Sequence, residues 1–188
     1  MRRVFLIALP LWLVACGSPE SAPDDPVDAT APTTNPLIER FDDVKIVVNA
    51  NGLGAYQQEP VAFGAPRSQV DTVAERAFGS MGEQTANEEC GAGPMEFTQY
   101  GPLQVGYLDG KFAGWFLREG YGVVTSDGIR PGVATLDTLK GERQVQELDT
   151  TLEGEFQYTT ADYGTITGFA DDAGNITALQ AGVSCFFR

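Results

Sequence analysis

The sequence predicts an α+β fold of two tandem units, each a helix followed by an antiparallel sheet, packed in two layers with Gly-rich strands. Three observations predict it. From about Leu37 to Arg188 the chain is a series of short runs of β-branched and aromatic residues broken by Gly and Asp. Only two segments place apolar residues at helical spacing, and each precedes a set of strands.

Taken in order, the chain opens Met1-Arg2-Arg3 and continues in an apolar run over residues 4–15. A helix of about 12 residues rises roughly 18 Å, well short of a hydrocarbon core of about 30 Å. The segment therefore reads as the basic head and apolar middle of a secretory signal peptide, residues 1–15. Leu13-Val14-Ala15-Cys16 resembles a bacterial lipobox. That resemblance implies acylation of the Cys16 thiol, palmitate being one such chain, and cleavage just before it. The Arg2-Arg3 pair also resembles the core of a twin-arginine export signal but is read as a plain basic head.

The formal charge is −14, and removing residues 1–15 with Arg2 and Arg3 makes it −14 − 2 = −16. Such a chain offers no surface for nucleic acid and little attraction for anionic lipid. Attachment then falls to acyl chains, at about 0.8 kcal/mol per buried methylene. Residues 16–36, Cys16 followed by GSPESAPDDPVDATAPTTNP, hold almost nothing large and apolar and read as a tether.

The two units are expected at residues 37–120 and 121–188. Strands are expected over residues 44–49, 103–108, 111–118, 121–125, 144–148, 155–159, 164–170 and 175–183. A helix opens at Pro66, carries Val70, Val73, Ala74 and Ala77 on one stripe, and stops at Gly79. A shorter one spans residues 132–140, with Thr135 as its cap and Leu136 and Leu139 as its apolar stripe. Gly52-Leu53-Gly54 reads as a turn before the first helix.

An internal repeat supports the two units. Val47-Val48-Asn49-Ala50-Asn51-Gly52-Leu53 aligns with Val123-Val124-Thr125-Ser126-Asp127-Gly128-Ile129, and Val105-Gly106-Tyr107-Leu108-Asp109-Gly110 is similar to Thr167-Gly168-Phe169-Ala170-Asp171-Asp172. Over residues 44–188 this pattern resembles the tandem fold of the β-lactamase inhibitor protein and of the small lipoprotein of the outer-membrane barrel assembly machinery. The cysteines differ from the inhibitor family, with one bridge between halves in place of a bridge within each.

With Cys16 assigned to lipid, two of the three cysteines remain, Cys90 and Cys185. An exported compartment is oxidising enough to pair them.

The residues argue against catalysis. There is no histidine, which removes Ser-His-Asp and Cys-His systems and imidazole metal sites. Lys45, Lys111 and Lys140 make no S-x-x-K spacing with a serine. Glu88 with Glu89, and Glu153 with Glu155, read as solvated pairs in an acidic chain; Asp171, Asp172 and Asn175 read as a hairpin loop before a calcium site. No enzyme, metal or cofactor is expected.

The hairpin around Asp109-Gly110 is expected to close in a type I′ turn. Strict alternation from that turn puts Leu103, Val105, Tyr107, Phe112 and Phe116 on a face covered by the first helix. It puts Gln104, Gly106, Leu108, Ala113, Trp115 and Leu117 on an open face. Trp115 is the expected partner-binding anchor, with Leu117, Leu108, Gln104 and the neighbouring Tyr121; the competing reading buries Trp115 in the core.

The functional expectation is an envelope lipoprotein acting as a noncatalytic protein-binding or assembly module, its partner an unidentified envelope protein. The alternatives are an inhibitor of a secreted enzyme, or a small carboxylate-dependent hydrolase or carbohydrate-binding protein. Gly17 stands where an aspartate would resemble an inner-membrane retention signal. This favours the periplasmic face of an outer membrane, or otherwise the outer face of the cytoplasmic membrane. Mass spectrometry of the mature protein should find a lipid-modified Cys16 at the amino terminus; a terminus elsewhere, or retention of residues 1–15, would refute the assignment.

Overall fold

A computed structural model describes residues 42–185. The leader, Cys16, the tether and the start of the first unit at residue 37 lie outside the described residues. The fold is mixed α and β with sheet dominant: twelve strands in two sheets, and two helices, among the described residues.

The first sheet has four strands. β1 (Ile46–Asn49) pairs antiparallel with β2 (Gly52–Ala55), which pairs with β3 (Val61–Ala62). On its other side β1 pairs in parallel with the distant β8 (Val123–Thr125). Gly52-Leu53-Gly54 therefore belongs to a strand, where a turn was expected. A Cβ on Gly52 would lie 2.1 Å from the Val61 carbonyl oxygen, so glycine is required by the close approach of β3.

After β3 comes helix α1 (Arg67–Phe78) and then a four-strand meander: β4 (Glu83–Asn87), β5 (Met95–Tyr100), β6 (Leu103–Leu108) and β7 (Lys111–Arg118). After β8 comes α2 (Leu136–Glu142) and a second meander: β9 (Val145–Glu147), β10 (Glu155–Thr159), β11 (Thr165–Ala170) and β12 (Ile176–Gly182). The meanders meet at β7 and β12, giving one eight-stranded sheet in the order β4-β5-β6-β7-β12-β11-β10-β9. Two separate two-layer units were expected. Pairing of β7 with β12, and of β1 with β8, instead merges both runs into shared sheets.

Local chemistry accounts for the helix limits. Pro66 occupies the N-cap position of α1 with an extended ψ of 140°, and Gly79 closes it in the left-handed region at φ 75°. The Thr135 side chain caps α2 by accepting from the Thr138 N–H at 3.2 Å. Val70 and Ala74 bury one side of α1. Asp71 clamps that helix to the sheet: its Oδ1 accepts from the hydroxyls of Tyr100 (3.0 Å) and Tyr107 (2.6 Å), and its Oδ2 from Arg67 Nε (3.0 Å). Burial, and then the Asp71 carboxylate, hold both phenols well above their ordinary pKa.

The hairpin between β6 and β7 decides the faces of the large sheet. Asp109 and Gly110 both have positive φ, 51° and 71°, as a type I′ turn requires. Leu108 opposes Lys111 and Tyr107 opposes Phe112, as expected. The next pair is then Gly106 with Gly114, so Ala113 is an extra residue on β7, and Val105 opposes Trp115, Gln104 opposes Phe116 and Leu103 opposes Leu117. A one-residue bulge reverses every side chain beyond it.

The face assignment of Trp115, Leu117 and Phe116 is corrected accordingly. Trp115 and Leu117 are 2% and 1% exposed and belong to the core cluster. The indole Nε1–H donates to the Asn49 carbonyl at 2.8 Å, tying the large sheet to the end of β1. Phe116 takes the open face. Trp115→Ala should cost about 3–5 kcal/mol of unfolding free energy, by loss of a buried aromatic, measured by denaturant unfolding. A change within experimental error would place the indole at a surface.

Candidate functional site

On the open face of the large sheet, register brings together two rows of side chains. One row crosses β5, β6, β7, β12 and β11 as Gln99, Gln104, Phe116, Gln180 and Thr167. The adjacent row is Phe97, Gly106, Gly114 and Gly182. Amides and one aromatic ring thus stand beside a strip of backbone with no side chains, and that strip makes room above the sheet.

The chain itself crosses that space. Gly182 leaves β12 at φ 79°, a conformation that strains other residues; a Cβ there would also lie 2.3 Å from the Ala113 carbonyl oxygen. That same carbonyl accepts the Val183 N–H at 2.9 Å. Val183, Ser184 and Cys185 then form a strap towards the loop joining β4 to β5, where Cys185 is bonded to Cys90, with a Cα–Cα distance of 4.8 Å. Asn87 Nδ2 donates to Cys185 Sγ at 3.3 Å.

Beneath and beside the strap is a cavity of about 300 Å³, its walls including Phe97, Gln104, Phe116 and Gln180, with Asn87 and Arg118 also in its lining. Such a volume is at the lower end for small-ligand sites, which are mostly apolar with a few placed polar groups. Gln180 is 4% exposed, and its Oε1 is buried with no hydrogen-bond partner among the described residues. A buried acceptor left unmatched costs about 1–3 kcal/mol. The Arg118 guanidinium lies 5.4 Å from the centroid of the Phe116 ring. Among the described residues no Asp or Glu lines the cavity, although the chain has 26 of them.

The expected binding residues separate. Gln104 lines the cavity. Trp115 is also in its lining, between Gly114 and Phe116 in the strand beneath, while its indole N–H is committed to the Asn49 carbonyl. Leu117 is core, and Leu108 is half-buried beyond the cavity lining. Tyr121 is exposed and borders a different cavity, of about 590 Å³, beside α2. There Arg130 makes a two-pronged ion pair with Asp43, at 3.0 and 2.9 Å, which holds that carboxyl below its usual pKa.

Gln180, Phe97, Phe116 and Arg118 escaped the sequence reading. A signal for Gln180 existed: within I-T-A-L-Q-A-G it is the one long polar side chain of a strand otherwise made of apolar and small residues. The hairpin-loop reading of Asp171 agrees with the geometry, since its carboxylate accepts from the N–H groups of Ala173 and Asn175 and from Asn175 Nδ2. Glu155 of the second carboxylate pair is buried and accepts the Thr150 hydroxyl at 2.6 Å. No helix among the described residues is long and apolar enough to cross a membrane.

Comparison of the chain with family models, with curated proteins and with solved structures finds no match.

Replacing both Cys90 and Cys185 by serine should lower unfolding free energy by about 4–5 kcal/mol on the chain-entropy account of a long closed loop. Denaturant midpoints of the oxidised chain and the double variant measure it. Equal midpoints would mean that the bridge, and the strap it secures, contribute nothing to the native state.

Proposed function

We propose that this chain is an exported, lipid-anchored, noncatalytic binding module of the cell envelope, and that it engages its target in the cavity under the C-terminal strap. The observation that carries this reading is the buried, unpartnered Oε1 of Gln180 at a cavity with aromatic walls. Asp127 Oδ2 and the Tyr158 hydroxyl are likewise buried without a partner among the described residues, but Gln180 is the one of the three that lines this cavity. Oε1 is closed to solvent, so a ligand reaches it by a turn of the Gln180 side chain, and a hydrogen bond donated there relieves the orphan.

The lining also supports a binding role over a catalytic one. Among the described residues it holds amides, aromatic rings, Thr85, Ser184 and Arg118, but no carboxylate or lysine, and the chain has no histidine. The described lining therefore lacks a general base. The expected protein-binding face depended on an exposed Trp115. A concave, covered cavity instead suits a molecule, or a single chemical group, small enough to enter it, which favours the ligand-binding alternative over a flat assembly surface.

On this reading the export signal and the Cys16 anchor put the module at the membrane, with residues 16–36 as its leash. The runs 37–120 and 121–188 are two related halves. Support comes from the order helix then four-strand meander in both, and from parallel pairing of β1 with β8, whose sequences align.

Gln180→Met keeps the length of the side chain and deletes the orphaned acceptor. It should raise unfolding free energy by about 1–2 kcal/mol, read as a higher denaturant midpoint at unchanged slope. A lower midpoint would mean that Oε1 is satisfied within the native protein, and the binding reading would fall with it.

A further inference from the structure

Resting on that reading of the cavity, we infer that its ligand is a carboxylate-bearing sugar ring, the acidic saccharide unit of a glycan. The lining matches the three parts of such a molecule. Its ring offers an apolar C–H face, for which Phe97 and Phe116 supply apolar walls. Its hydroxyls donate and accept at once, and the amides of Gln104 and Gln180 do the same, each with an acceptor oxygen and two donor hydrogens. Gln180 Oε1, closed to solvent in the free protein, receives a hydroxyl hydrogen once the side chain turns towards the cavity. Its carboxylate meets the planar fork of Arg118, which lies 5.4 Å from the Phe116 ring centroid and makes no ion pair among the described residues.

Charge and shape narrow the class. In a chain of formal charge −14, the described lining of this cavity has one cationic side chain and no anionic one. A cationic ligand would meet Arg118 with nothing to oppose it. An extended peptide would add itself along a sheet edge. This cavity lies on the sheet face beside the glycine row and under a disulfide-fixed strap, which suits a compact ring. The acid group acts at short range, because the field of the other carboxylates is screened beyond about 8 Å at physiological salt.

The test is calorimetric titration of the full lipidated chain in detergent micelles with glucuronic acid, glucose and acetate. Glucuronic acid should bind, glucose should bind about tenfold more weakly for want of one charge-assisted contact, and acetate should give no heat above dilution. Arg118→Ala should bring glucuronic acid down to the level of glucose. Gln180→Met should weaken both sugars, while its denaturant midpoint shows that the variant is folded.

Several results would overturn the inference. Absence of binding by either sugar, with Gln180→Met still more stable than the parent, would remove the saccharide and leave the cavity reading in place. A less stable Gln180→Met would remove the cavity reading itself. Equal affinity for glucose and glucuronic acid would refute the role of Arg118. Sugar binding that appears only after deletion of residues 186–188 would make the chain's own end the occupant.

Discussion

The extra residue Ala113 in β7 is the constraint on which both the core and the cavity depend. Without it, the alternation set by the Asp109-Gly110 turn would carry Phe116 into the core and turn Trp115 outward. With it, the indole enters the core and reaches the Asn49 carbonyl, so the end of β1 is held against the large sheet. The carbonyl of Ala113 also takes the Val183 N–H. One inserted residue therefore joins the sheets, sets Phe116 beside the cavity and seats the start of the strap.

Cavity and strap depend on two further features far apart in sequence. Gly106, Gly114 and Gly182 fall in one cross-strand row because β6, β7 and β12 are neighbours, and β7 with β12 is the seam between the two meanders. The Cys90–Cys185 bridge then ties the end of the second meander to a loop of the first. Stability draws on the same seam as the cavity: the pairs that merge the meanders also supply its floor and walls. The burial of an unmatched Gln180 oxygen opposes stability locally.

Legibility followed the range of the interactions. Short-range chemistry was readable. Pro66 and Gly79 bound α1, Thr135 caps α2, and Asp109-Gly110 closes its hairpin with both residues at positive φ. Elimination of Cys16 left a pair that is bonded as expected. Four strands escaped: β3 is only two residues long, and the other three escaped for distinct reasons. β4 is a fully exposed edge of E-Q-T-A-N with no apolar alternation to announce it, and it exists through its pairing with β5. β5 itself, M-E-F-T-Q-Y, mixes polar residues into both faces. β2 is rich in glycine and read as a turn, because the reason for Gly52 is a backbone that approaches from β3.

By itself the sequence determined both helices and eight of the strands, a mixed α and β chain, its strong acidity without histidine, and the cysteine pair. These follow from near neighbours along the chain, where φ preference, capping and periodicity act. Tertiary structure alone decided which aromatic is core and which lines a cavity, because a bulge leaves composition unchanged while reversing every later side chain. It alone decided that two helix-and-meander runs share their sheets, since edge pairing joins strands that lie far apart in the chain. It also brought Gln180, Gln104, Phe116 and the strap together. Their meeting is a product of register across three strands, β6, β7 and β12, and register is a property of the assembled sheet.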